Sequence, residues 1–93
     1  MKPLMVNSSP LKQSLGSALR KIRQEKGLSL ADVAEGTGRS KGNLSQLETK
    51  GSGLTIDALF EICDVLGVIP ATVIRRASND GGATPNNIPS RKT

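Results

Sequence analysis

The 93-residue chain has no tryptophan, tyrosine or histidine, a single aromatic residue (Phe60) and a single cysteine (Cys63). Each scarcity closes a route. Sandwiches and barrels draw on β-branched and aromatic strands, so a core limited to Leu, Ile, Val and Ala points to close-packed helices. A lone Cys63 forms no internal disulfide, and without histidine there is no His or Cys–His metal constellation. Cys63 is expected to serve as a small core residue. No apolar run approaches the roughly 18 residues of a transmembrane helix. The opening M-K-P-L-M-V-N-S-S-P is too briefly apolar for a secretory signal, so a reducing cytoplasm is the expected setting. With no histidine, one cysteine on an apolar helix face and no glycine-rich phosphate loop after a strand, no catalytic constellation is visible. Catalysis, a cofactor and a metal are therefore not expected. Asp57, Glu61 and Asp64 are spaced as a solvated helix face.

Positive charge is not scarce. The formal net charge is +5, with 13 Lys/Arg against 8 Asp/Glu. Residues 1–50 carry the excess, at positions 2, 12, 20, 21, 23, 26, 39, 41 and 50 against acidic 25, 32, 35 and 48. Residues 51–93 are balanced. A basic half suits a polyanionic partner, although basic charge also serves simple solubility.

Hydrophobic spacing divides the chain into short helices. Residues 1–9 show no period and read as a flexible segment. Ser9-Pro10 reads as an N-cap followed by proline at the first helical position, and Leu11, Leu15, Leu19 and Ile22 then form a stripe that Gly27 ends. Ser29-x-x-Asp32 resembles a capping box opening a second helix, Leu30 to Thr37, with Leu30, Val33 and Ala34 inward. Ser40 caps a third helix anchored by Leu44 and Leu47, and Thr49 to Gly53 reads as a flexible loop. Thr55 caps a fourth, with Ile56, Leu59, Phe60, Ile62, Cys63 and Leu66 as its apolar face. Pro70 opens a fifth, which is expected to end at Arg76, and residues 77–93 read as a disordered tail. The expectation is an all-α bundle of four to five short helices over residues 10–76.

The run from Leu15 to Glu48, L-G-S-A-L-R-K-I-R-Q-E-K-G-L-S-L-A-D-V-A-E-G-T-G-R-S-K-G-N-L-S-Q-L-E, resembles the helix-turn-helix of the lambda repressor and Cro family. Cys63-Asp64-Val65-Leu66-Gly67-Val68 continues the likeness, with Cys63 where that pattern has leucine. The resemblance covers about residues 11–76 and implies a lambda repressor-like fold. It implies Ala34 at the helix crossing and Gly38 at the tight turn, and a third helix that enters the DNA major groove. Its base-reading positions fall on Lys41, Gly42 and Gln46, with Asn43 and Ser45 nearby. Lys41 would donate to guanine and Gln46 would pair with adenine, or both are ordinary solvated residues. Gly42 either permits close approach to DNA or is tolerated without purpose.

Phosphate contacts are expected from Ser29 and Ser40 at helix starts and from Lys50. The family pairs an arginine late in the first helix with the glutamate closing the third, and the matching residues are Arg23 and Glu48. Two departures stand out. Arg39 replaces an apolar residue that normally staples the third helix, which frees it to reach a phosphate. Leu30 stands where several phage repressors place a glutamine that braces the first reading residue.

The resemblance also implies a homodimer on an inverted-repeat operator, acting as a repressor of transcription. Val68, Ile69, Val73 and Ile74 are the dimerisation candidates, or else they close the core. An antitoxin that also binds a toxin, a restriction-modification controller, and a protein-interaction module on the same fold are the alternatives. A toxin or co-regulator is accordingly a candidate protein partner beside double-stranded DNA, and no membrane is expected.

Overall fold

The structure is a computed structural model and describes residues 10–80. Expectations for residues 1–9 and 81–93 lie outside the described residues. Five helices follow in order: α1 (Pro10–Glu25), α2 (Leu30–Thr37), α3 (Lys41–Lys50), α4 (Ile56–Leu66) and α5 (Pro70–Asp80). No strand occurs among the described residues, and no helix there is long and apolar enough to cross a membrane.

Local chemistry sets most boundaries. Ser29, Ser40 and Thr55 take extended backbone, and each accepts a hydrogen bond from the N–H three residues on. These bonds satisfy donors that a helix start leaves unpaired. At α2 the bond is reciprocal: Asp32 Oδ2 accepts from the Ser29 N–H at 2.8 Å, completing the capping box. Left-handed glycines close the helices, among them Gly38 at φ 76° and Gly51 at φ 77°.

α1 is the spine. It packs on α3 and α5 and touches α4, while α2 bridges α3 and α4. Ala18, Leu19, Ile22, Val33, Leu44, Leu47, Leu59, Ile62, Leu66 and Val73 meet in a single core. Cys63 is a core residue as expected, and burial pushes its thiol above the usual range.

Several expectations need correction. α5 continues to Asp80 instead of ending at Arg76, because Ala77, one turn beyond Val73, is 1% exposed and extends the buried stripe. α3 likewise takes in Thr49 and Lys50, and the Gly51 N–H caps it on the Leu47 carbonyl. Leu11, Ile56 and Phe60 lie on the outer edges of their stripes and are exposed. Gly16 and Gly51 serve a purpose that spacing does not show. A Cβ on Gly16 would collide with the Leu47 carbonyl oxygen, and one on Gly51 would stand 2.5 Å from the Lys12 carbonyl carbon. Both ends of this contact bring the backbone of α1 directly against the C-terminus of α3.

Gly38 and Gly51 share nearly the same φ, yet no atom lies within 4 Å of a Cβ at Gly38. Gly38→Ala is expected to cost about 1–2 kcal/mol from backbone strain alone. Gly51→Ala should cost distinctly more, since its strain adds to a collision with α1. Thermal melts of the two variants would show the ranking, and equal losses would contradict this close approach.

Candidate nucleic-acid interface

α2, the turn at Gly38 and α3 form two short helices that hold each other through Val33, Ala34, Leu44 and Leu47. The turn is tightly bonded. The Gly38 and Arg39 N–H groups both donate to the Ala34 carbonyl, at 2.8 and 3.2 Å. Thr37 Oγ1 donates back to the Val33 carbonyl at 2.8 Å.

The two helix starts differ in charge. At α2 the Asp32 carboxylate already occupies the N-terminus, and its bonds with the Ser29 backbone and side chain hold it below the usual carboxylate range. α3 has no acidic residue in its first turn. Its uncompensated positive dipole end is therefore the one available to an outside anion. The Ser40 hydroxyl accepts from the Asn43 N–H at 3.0 Å and keeps its own proton to donate.

Lys41, Gly42, Asn43, Ser45 and Gln46 are all exposed, while Leu44, Leu47 and Glu48 face inward. At 3.6 residues per turn, Gly42, Gln46 and Thr49 run along the middle of the outward face. Lys41 and Ser45 flank one side of that line, Asn43 and Lys50 the other. Asn43 leans over the loop after α3, where its amide nitrogen lies 3.6 Å from the place a Gly53 Cβ would occupy. The sequence pattern assigns Thr49 to a loop, and only the longer helix puts it on the face. A methyl group placed on Gly42 would meet nothing within 4 Å, so the fold does not require glycine there.

Behind the face, Arg23 and Glu48 meet in a buried bidentate pair, Nε–Oε2 at 2.8 Å and Nη2–Oε1 at 3.1 Å. The third arm of the guanidinium, Nη1, donates to the Leu28 carbonyl at 2.8 Å. One side chain thus joins the end of α1, the loop into α2 and the last turn of α3.

One candidate is placed differently from expectation, and another takes the second of its two expected roles. Arg39 does not project into solvent beside α3; its Nη2 lies 2.9 Å from Glu61 Oε1 on α4, and its side chain is only 25% exposed. Val73 is 0% exposed and belongs to the core, whereas Ile69 at 63% and Ile74 at 47% stay open. Val68 is half-buried against the core. No cluster of His, Cys, Asp or Glu among the described residues could hold a metal.

Comparison with known proteins decides the family. The helix-turn-helix domain family matches residues 14–77. The chain belongs to this family, in its lambda repressor and Cro-like branch. Its members are regulators of transcription and not enzymes. The chain is 38% identical over 76 residues to the HTH-type transcriptional regulator SutR of Escherichia coli (strain K12), a match covering 82% of this chain but only 41% of that protein. The structure superposes on the clp gene regulator ClgR of Corynebacterium glutamicum with a TM-score of 0.75 and 33% identity, over 85% of this chain and all of the other. It also matches the restriction-modification controller protein C.Esp1396I, with a TM-score of 0.71 and 26% identity over 78% of this chain and 95% of that one.

Removing one member of a buried, fully bonded pair costs about 3–5 kcal/mol. Glu48→Ala should therefore lower the melting temperature sharply, while Glu35→Ala on the exposed face of α2 leaves it nearly unchanged. Gly42→Ala should raise the melting temperature, since alanine gains about 1 kcal/mol over glycine inside a helix. A drop in melting temperature for Gly42→Ala would show that the fold does constrain this position.

Proposed function

We propose that this protein binds double-stranded DNA sequence-specifically and represses transcription as a homodimer on an inverted repeat. α3 lies in the major groove of each half-site, and the two half-sites are about one helical turn apart. The observation that carries this reading is the outward face of α3. It is exposed and polar from Lys41 to Lys50, it lacks any carboxylate in its first turn, and it follows a turn in which the Gly38 and Arg39 N–H groups both bond to the Ala34 carbonyl.

Lys41 reaches guanine O6 or N7 and Gln46 pairs with adenine, with Gly42, Asn43 and Ser45 close to the base edges. Gly42 lets the helix approach closely. Thr49 extends the reading line by one turn. Phosphates are held by Ser40 and Lys50; Ser29 leaves that set, because the Asp32 carboxylate already occupies the start of α2. Arg39 leaves that set because Glu61 engages it. Ile69 and Ile74 supply apolar surface to the second copy, with Val68 at the margin. The folded DNA-binding unit spans about residues 10–80, and a protein that reads DNA in this way works in the cytoplasm, beside its operator.

A salt series on the protein's own upstream DNA against random DNA tests the proposal. Affinity for both should fall with salt, as for any phosphate binder. Lys41→Ala and Gln46→Ala should each cost about 1–3 kcal/mol of discrimination, while Lys50→Ala weakens both DNAs alike. Full discrimination in both α3 variants would refute the base-reading assignment.

A further inference from the structure

α3 lies against α1 and α2 and makes no close backbone approach to α4. Its C-terminal end is fixed by the Arg23–Glu48 pair and by the close approach of Gly51 to α1. Its N-terminal end has no apolar residue ahead of the cap, because Arg39 occupies that position. An apolar side chain there packs on the first turn and fixes the angle at which the chain enters the helix.

Arg39 nevertheless points inward. Its Nε is buried and has no hydrogen-bond partner among the described residues, while its Nη2 emerges to meet Glu61 at 2.9 Å. This is an arginine used by its stem, with the charged head carried out to a carboxylate at the rim. Its backbone N–H is held at the same time by the Ala34 carbonyl at 3.2 Å and approached by Thr37 Oγ1 at 3.4 Å. A single peptide unit separates Arg39 from Ser40, the cap of α3. Wherever the Arg39 side chain is anchored, the start of α3 is anchored too.

We propose that Glu61 on α4 is a positioning residue for DNA recognition, acting through Arg39 to set the angle at which α3 leaves the turn. The pair replaces the missing apolar staple and ties the start of the reading helix to a helix whose backbone α3 does not otherwise approach. The inference rests on α3 being the reading helix. Glu61 itself is half-exposed and touches no DNA in this scheme; its effect is on which sequence is preferred. Base reading by Lys41 and Gln46 depends on placement to a fraction of an ångström, so a loosened start of α3 lowers discrimination more than overall affinity.

The test uses the full chain and two duplexes, one enriched by the wild-type protein from a random library and one with the same bases scrambled. Glu61→Gln keeps shape and removes the charge at a half-exposed site. It should retain the fold by circular dichroism and lose roughly 5-fold of the preference for the enriched duplex, with scrambled-duplex affinity unchanged, a coupling of ordinary size for a pair in contact. The exchange Arg39→Glu with Glu61→Arg should restore most of that preference. In an Arg39→Val background, which supplies an apolar contact instead, Glu61→Gln should have no further effect.

Unchanged preference in Glu61→Gln overturns the proposal, as does an equal loss in the Arg39→Val background. A gain in affinity for both duplexes also overturns it, since Glu61 would then be competing with phosphate for Arg39. A wild-type protein that shows no preference between the duplexes overturns base reading by α3 and this inference together.

Discussion

The buried Arg23–Glu48 pair is the interaction on which the rest of the molecule leans. A core of aliphatic residues makes no directed contacts of its own, and the end of α1, the loop into α2 and the last turn of α3 must be held in one register. The guanidinium does this with directed bonds: two to the Glu48 carboxylate and one to the Leu28 carbonyl. Apolar residues of similar volume would offer comparable burial but not the same geometry. The charge is tolerated inside because the Nε, Nη1 and Nη2 atoms of Arg23 all find acceptors and both carboxylate oxygens of Glu48 are taken. The pair works together with the backbone contact at Gly16 and Gly51, so α1 and the second half of α3 behave as one unit.

The two ends of α3 are held by different means. The C-terminal end is locked by a dry, bidentate bond and by backbone touching backbone. The N-terminal end is held at its rim by Arg39 and Glu61, a pair with far more access to water and therefore weaker and more easily screened. Between them, the start of α3 keeps the dipole end that Asp32 neutralises at α2. Stiffness and unspent charge thus sit at opposite ends of the same ten-residue helix.

Much of this was legible in the sequence, for identifiable reasons. Ser29, Ser40 and Thr55 mark helix starts because a side-chain oxygen satisfies a specific backbone donor, and Gly27, Gly38 and Gly67 mark the ends through left-handed backbone. The Arg23–Glu48 pair came from likeness to a family, since nothing in the spacing of two charges 25 residues apart announces a bond. The remainder depended on tertiary context. Ala77 prolongs α5 through one small buried methyl, too weak a signal among Ser78, Asn79 and Asp80. Gly16 has the look of a helix breaker, yet it is a place where two backbones meet. Arg39 reads as a surface cation because composition cannot tell an inward stem from an outward one. Val73 and Ile74 are neighbours of similar hydrophobicity, and only the docking of α5 on α1 decides that the first is core and the second is not.

Gly42 has a consequence for how such a protein changes over time. Its side of α3 is open, so an added β-carbon there touches neither Leu44 and Leu47 nor the pair behind them. Gln46 and Thr49 on the same line are equally detached from the interior. Under the proposed reading, the surface that meets DNA can therefore be rewritten by single substitutions while folding is left intact. Selection can retune the target and conserve the scaffold independently, and lineages built on one bundle are free to diverge in what they recognise.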